Sequence, residues 1–155
     1  MIKKILLLMG LTIFLFANTN YKNYLKIKKY DIYFKKASEI YKIPKEVLMA
    51  IAFTENESLK PNAIRHNKNK TEDIGLMQIN TLWIKEFQYI GLSKQKLLDV
   101  ENNIYVASLI LSNLIKKYGY SLSTIAKYHS KNIEKCKSWL NRFQRHLKNI
   151  KNLNL

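Results

Sequence analysis

The 155-residue chain is poor in several residue types that would otherwise define a scaffold. Its single cysteine, Cys136, excludes an intramolecular disulfide framework and any multi-cysteine zinc site. Two prolines and four glycines exclude collagen-like and Pro/Gly-rich disordered chains. Histidine is sparse. His66, His129 and His146 lie far apart and show none of the spacing of an H-E-x-x-H metal helix, so no metal or other cofactor is expected. Acidic residues are few, 11 against 27 basic ones, which leaves a net charge of +16. Arginine is nearly absent from that basic set: only Arg65, Arg142 and Arg145 interrupt the lysines. Base-reading proteins lean on the bidentate arginine fork. The charge therefore reads as lysine filling a solvated surface, and no nucleic-acid partner is expected. It still favours an anionic partner such as a wall polymer.

What is present fits one globular domain: 47% of residues are hydrophobic and 25% charged. A domain of this size buries a core without covalent staples. The N-terminus has the layout of a secretory signal peptide over residues 1–17. Lys3 and Lys4 precede an apolar run from Ile5 to Phe16, and Ala17 then leads into polar residues. The run is shorter than the roughly 20 residues of a membrane span. No cysteine stands near Ala17, so a lipoprotein is not expected, and Leu15 leaves the cleavage point open. An uncleaved anchor is the alternative. Either way the domain is exported, and the expected location is periplasmic, as a monomer with no stable membrane span after cleavage. In an oxidising compartment Cys136 would be buried or would pair with another chain.

Residues 18–29 read as a lead-in, 30–150 as the domain and 151–155 as a tail. Phe34, Ala37, Ile40 and Tyr41 form a stripe that predicts a helix over 30–42. Pro44 suits the first turn of a second helix, along which Val47, Leu48, Ile51 and Glu55 lie near one face. Residues 58–73 are polar, carry Pro61 and read as an irregular loop; 74–90 read as a short turn plus a helix. Ser93 is placed to cap a helix over 94–98. Ile104, Ala107, Ser108, Leu111, Ile115 and Tyr118 mark a helix over 101–118, which Gly119 ends. Ser123 opens a further helix carrying Tyr128, and 133–148 form a basic amphipathic helix with Trp139, Leu140, Phe143 and Leu147 inward. There is no internal repeat and no β-alternation. The expected class is all-α, built of many short helices.

Three features carry chemistry. At 100° per residue Glu55 lies about 40° from Ile51 and about 20° from Leu48, so it continues the apolar face; Glu57, about 120° from Ile51, points away. An isolated carboxyl in apolar surroundings resists ionisation, and one kept protonated serves as a general acid. The competing reading ends the helix before Glu55 and leaves both glutamates solvated. The second feature is the run Gly75 to Asn80, where Gln78 and Asn80 place amides among apolar residues, a chemistry suited to sugar hydroxyls and N-acetyl groups. The third, Tyr128-His129-Ser130, says little alone.

In this order the three resemble the lysozyme-like lytic transglycosylase (SLT-type) domain. The residues are AIAFTE (50–55), KPNAI (60–64), DIGLMQIN (73–80) and KYHS (127–130), and the likeness covers roughly 30–145. The short form resembles the specialised transglycosylases of secretion and conjugation machines. There are departures. The family's Glu-Ser dipeptide falls at Glu57-Ser58, one residue is inserted before Pro61, and Lys127 replaces the usual alanine before the tyrosine. Counting from AIA makes Glu55 the catalytic acid, and matching the dipeptide makes it Glu57. The stripe favours Glu55.

The resemblance implies a lysozyme-like fold around a saccharide cleft, without a cofactor. It implies cleavage of the β-1,4 bond between N-acetylmuramic acid and N-acetylglucosamine in peptidoglycan strands, yielding a 1,6-anhydro sugar. Met77, Gln78 and Asn80 would bind substrate, and Tyr128 would position or hydrogen-bond the glutamate. Two rivals remain. A hydrolase on the same fold needs a second carboxylate, for which Asp73 is placed best. A wall-binding or assembly module could retain the fold without the chemistry.

Overall fold

The computed structural model describes residues 24–130 and 132–154. The signal segment expected at 1–17 lies outside them. Among the described residues are seven α-helices. They are α1 (Asp31–Tyr41), α2 (Lys45–Glu55), α3 (Leu82–Glu86), α4 (Lys94–Leu98), α5 (Val100–Tyr118), α6 (Leu122–Ala126) and α7 (Ile133–Asn152). Strands β1 (Ile64–His66), β2 (Glu72–Ile74) and β3 (Ile79–Asn80) form an antiparallel sheet in that order. None of these helices is long and apolar enough to cross a membrane.

Helix α2 is the centre of the fold. Every residue from Val47 to Thr54 is buried, so its apolar positions do not form a face at all; a helix that is apolar all round belongs inside. Pro44 caps it from outside the first turn, its carbonyl accepting the N–H groups of Val47 and Leu48 at 3.0 and 3.3 Å. α1 and α7 pack against α2, and α5 packs behind α1. In α1, Phe34 and Ala37 are fully buried while Ile40 is 59% exposed. The expected stripe was drawn too wide, since Ile40 stands about 120° from Phe34. The segment read as a lead-in is docked: Tyr24 and Ile27 are buried, and a 3₁₀ turn over Lys26–Tyr30 joins them to α1.

The all-α class holds for the bulk of the molecule. The sheet is the departure, because β1 and β2 occupy the stretch read as an irregular loop. β1 is exposed at all three positions, so it has no apolar alternation to reveal it. Backbone pairing builds it instead, with Arg65 opposite Asp73, and Asp73 opposite Asn80. The β2–β3 turn is fastened to α5 by Asn103, which is fully buried. Its amide donates to the carbonyls of Ile74 (2.9 Å) and Leu97 (2.8 Å), and its oxygen accepts from Met77 N–H (2.7 Å). Gly75 is required there. Its φ is +82°, and a Cβ would meet the Asn103 side chain and lie 2.6 Å from the Leu97 carbonyl.

The caps largely follow the sequence. Ser93 Oγ accepts from Lys96 N–H, and Gly119 ends α5. Ser121, not Ser123, caps α6, and that helix stops at Ala126, leaving Tyr128 in the turn beyond. In α7, Trp139 and Phe143 are fully buried, Leu140 and Leu147 partly, and the helix continues to Asn152. Tyr118, expected on the inner stripe of α5, is half exposed.

Candidate active site

α2 ends at Glu55 because Asn56 leaves helical geometry (φ −146°, ψ 77°) and turns its amide back on the chain. Asn56 Nδ2 donates to the Lys60 carbonyl at 2.7 Å, Ser58 Oγ donates to Asn56 Oδ1, and Leu59 N–H donates to the Asn56 carbonyl. Leu59 adopts φ +52° to close this turn while remaining buried. The inserted residue is thereby taken up outside the helix. Glu55 and Glu57 part company at this point: the Glu55 side chain is 5% exposed and lines a cleft of about 850 Å³, whereas Glu57 is exposed on the turn and does not line it.

The surroundings of Glu55 are polar, not the apolar pocket that its stripe implied. Trp139 Nε1 donates to Oε1 at 2.8 Å, and His129 Nδ1 lies 3.0 Å from the same oxygen. Arg65 Nη2 stands 3.7 Å from Oε2. The same Nη2 lies 3.3 Å from Asp73 Oδ2, so one guanidinium faces both cleft carboxylates. Asn80 Nδ2 donates to the other Asp73 oxygen at 2.7 Å and to Thr71 Oγ1 at 3.0 Å. Gln78, with φ +49°, donates to the Gly75 carbonyl at 2.8 Å. Both amides line the cleft, but they also brace the β2–β3 turn.

The geometry differs from expectation for Met77 and for the hydrogen bond of Tyr128. The Met77 side chain is fully buried and does not line the cleft, because its N–H is drawn to Asn103 and turns the side chain into the core. Tyr128 lines the cleft, but its hydroxyl donates to the Met77 carbonyl at 2.9 Å rather than to Glu55. Burial, then the charges of Glu55 and Asp73, push the Tyr128 phenol well above its usual range, so it remains a donor. The groups on Glu55 are instead Arg65, His129 and Trp139, none of which the sequence marked as site residues. His129 was within reach, since it sits inside the KYHS motif. Trp139 was hidden as one more apolar residue of α7, and Arg65 lay in the segment read as a loop. No group of three or more His, Cys, Asp or Glu residues gathers to hold a metal among the described residues.

The family profile of the transglycosylase SLT domain matches residues 32–151. The chain belongs to that family. The matched span runs from α1 into α7 and includes every residue that lines the cleft. Invasion protein IagB of Salmonella typhimurium (strain SL1344) is 39% identical over 95 residues, 61% of this chain and 59% of that protein. Protein IpgF of Shigella flexneri is 30% identical over 96 residues, 61% of this chain and 62% of its own length. The similarity thus covers about three fifths of either relative. In this SLT domain the cleft floor is the end of α2, one wall is the small sheet, and the other is the turn after α6 with the start of α7.

Proposed function

We propose that this SLT domain is a peptidoglycan lytic transglycosylase with Glu55 as its acid and base. The observation that carries the reading is the carboxyl of Glu55, 5% exposed at the floor of a cleft and held by donors from two other segments. Glu55 first gives its proton to the glycosidic oxygen between N-acetylmuramic acid and N-acetylglucosamine, and the bond from C1 to that oxygen breaks. The carboxylate then takes the proton of the muramoyl C6 hydroxyl as that oxygen bonds to C1. The product is a 1,6-anhydro sugar, no water is consumed, and one carboxyl serves both steps. Gln78, Asn80 and Tyr128 shape the wall against which the sugars lie, and Leu82 and Trp83 add an apolar surface for their ring faces. Arg65, Lys68 and Lys135 line the same cleft and suit an anionic polymer.

The name of one relative, an invasion protein, supports a role in opening the wall locally for a secretion or conjugation apparatus. The enzyme would act in the periplasm, as a monomer, after loss of residues 1–17. A second reading is favoured by one observation: Asp73 faces the same cleft and shares Arg65 with Glu55. A muramidase would use Asp73 beside Glu55 and release reducing ends.

Mass spectrometry of soluble products from purified sacculi tests both readings. Wild type and Glu57→Gln are expected to release anhydro-muropeptides, and Glu55→Gln none. Loss with Glu57→Gln alone would move the acid to the turn. Reducing-end products that vanish in Asp73→Asn would establish the hydrolase. No products from the wild type would leave a wall-binding module.

A further inference from the structure

The two oxygens of Glu55 are not equivalent. Oε1 faces Trp139, which is fully buried, while Oε2 faces Arg65, whose side chain is 51% exposed at the cleft. We infer that Trp139 and His129 form a positioning pair that reserves Oε1 and leaves Oε2 as the oxygen that exchanges a proton with substrate. The inference rests on the proposed role of Glu55.

An indole N–H can only donate, so Trp139 always takes one lone pair of Oε1. The other faces His129 Nδ1 at 3.0 Å. When Glu55 is ionised, Nδ1–H is the tautomer that satisfies this contact, because a carboxylate accepts and does not donate. When Glu55 carries its proton on Oε2, Oε1 is a carbonyl oxygen and the same Nδ1–H still fits. A proton on Oε1 would instead point at Nδ1 and force the histidine proton round to Nε2. Only exchange at Oε2 lets the acid step and the base step run without a change on His129. Donors fixed before the reaction add no reorganisation to it.

The pair is itself rigid. Trp139 stacks on Phe143 (centroids 5.4 Å apart, planes at 5°), and His129 stacks on the free side of Trp139 (5.6 Å, 12°). Phe143 and Trp139 lie on successive turns of α7, which packs along α2. The turn carrying His129 is tied to the same helix by Cys136 Sγ, which donates to the Ser130 carbonyl at 2.9 Å. Helix α7 therefore sets the angle of a carboxyl that belongs to α2. Arg65 is held on the opposite side by Asp73, through Nε and Nη2, both at 3.3 Å.

The test uses the full mature chain on soluble glycan strands and an NMR readout that is independent of turnover. The chain has two tryptophans, so the indole N–H region holds two signals. The Trp139 signal is expected to move as pH is varied in wild type and to move markedly less in Glu55→Gln, which keeps the imidazole stacked on the indole but removes the carboxylate, while Trp83 stays put. Trp139→Phe and His129→Phe keep the ring stack but remove one donor each. Each should lower kcat by about 10²-fold with KM within about twofold, since small misplacements of a reacting group cost that much. His129→Asn, whose amide nitrogen falls near the Nδ1 position, should recover most of the lost kcat. Wild-type kcat in both phenylalanine variants, beside an inactive Glu55→Gln, would overturn the pair and leave the acid assignment standing. A Trp139 signal equally pH-sensitive in Glu55→Gln would overturn it even if a phenylalanine variant fails to fold. Full activity in Glu55→Gln would overturn both the acid assignment and the pair.

Discussion

Asn103 shows how much of the candidate site depends on a residue that does not line the cleft. It is fully buried on α5, and its three hydrogen bonds hold the β2–β3 turn against the helix bundle. Asn103→Ala would deprive the buried Met77 N–H and Leu97 carbonyl of this partner, at about 1 kcal/mol or more each, and would strip one bond from the Ile74 carbonyl, which keeps its place opposite Ile79 in the sheet. The expected loss is about 3 kcal/mol in urea unfolding, with a melting temperature lower by about 10 °C. Activity at low temperature should fall as well, because the turn carries Gln78 and the carbonyl that Tyr128 binds. A variant as stable as wild type would show that the turn holds itself. Of the residues at the candidate cleft, Glu55 was legible because the apolar run of α2 continues to its last turn. Asp73, Gln78 and Asn80 were legible because they share one short motif. Arg65, His129 and Trp139 were not, since they converge on Glu55 from three segments whose approach no local pattern records.

α7 holds the C-terminal half of the core and also carries a buried histidine. The His146 ring stacks on Phe53 of α2 (5.6 Å, 14°), and its Nδ1 shares a hydrogen bond of 2.7 Å with the Tyr24 hydroxyl. Asn149 Nδ2 donates to the same hydroxyl at 2.9 Å. Burial first, then Arg145, lowers the His146 pKa from 6.5 to about 4; Arg142 adds to the fall and Glu57 opposes it. Between those two values the unfolded chain binds a proton that the folded chain does not. The stabilisation is therefore complete above about pH 6.5 and lost as pH falls toward about 4, by up to about 3 kcal/mol. Urea midpoints at pH 7 and pH 4.5 should differ more for wild type than for His146→Gln; equal differences would remove the histidine from the acid response. The helices themselves were legible in capping residues and apolar spacing, as at Ser93 and Gly119. The sheet was not, because β1 is exposed at every position and is held by backbone pairing and by pairs with the facing strand, Arg65 with Asp73 and His66 with Glu72, that no apolar alternation records. His146 stands about 20° from Trp139 on the helix, so its inward place was legible in the spacing, but its partners Tyr24 and Phe53, from distant segments, were not.

The charge of the whole molecule acts at longer range than any of these contacts. Of 11 acidic residues, several are already engaged: Asp31 with Lys45, Glu72 with Lys94, Glu101 with Lys36, and Glu55 and Asp73 with Arg65. With 27 basic residues there are too few carboxylates to neutralise the rest, and the surface field stays positive. Such a field draws an anionic polymer toward the protein and weakens as salt shortens its reach, from roughly 14 Å near 50 mM to about 6 Å near 300 mM. Binding of Glu55→Gln to purified sacculi should therefore fall steeply across that range. Position within the field also matters. Lys68 and Lys135 line the cleft, while Lys148 and Lys151 are exposed farther along α7. Replacing the first pair by glutamate should lower kcat/KM several-fold at low salt and flatten its salt dependence. Replacing the second pair makes the same change in net charge and should do less. Equal effects from both pairs would mean that only total charge counts, and salt-independent binding would mean that the sugar contacts suffice without it.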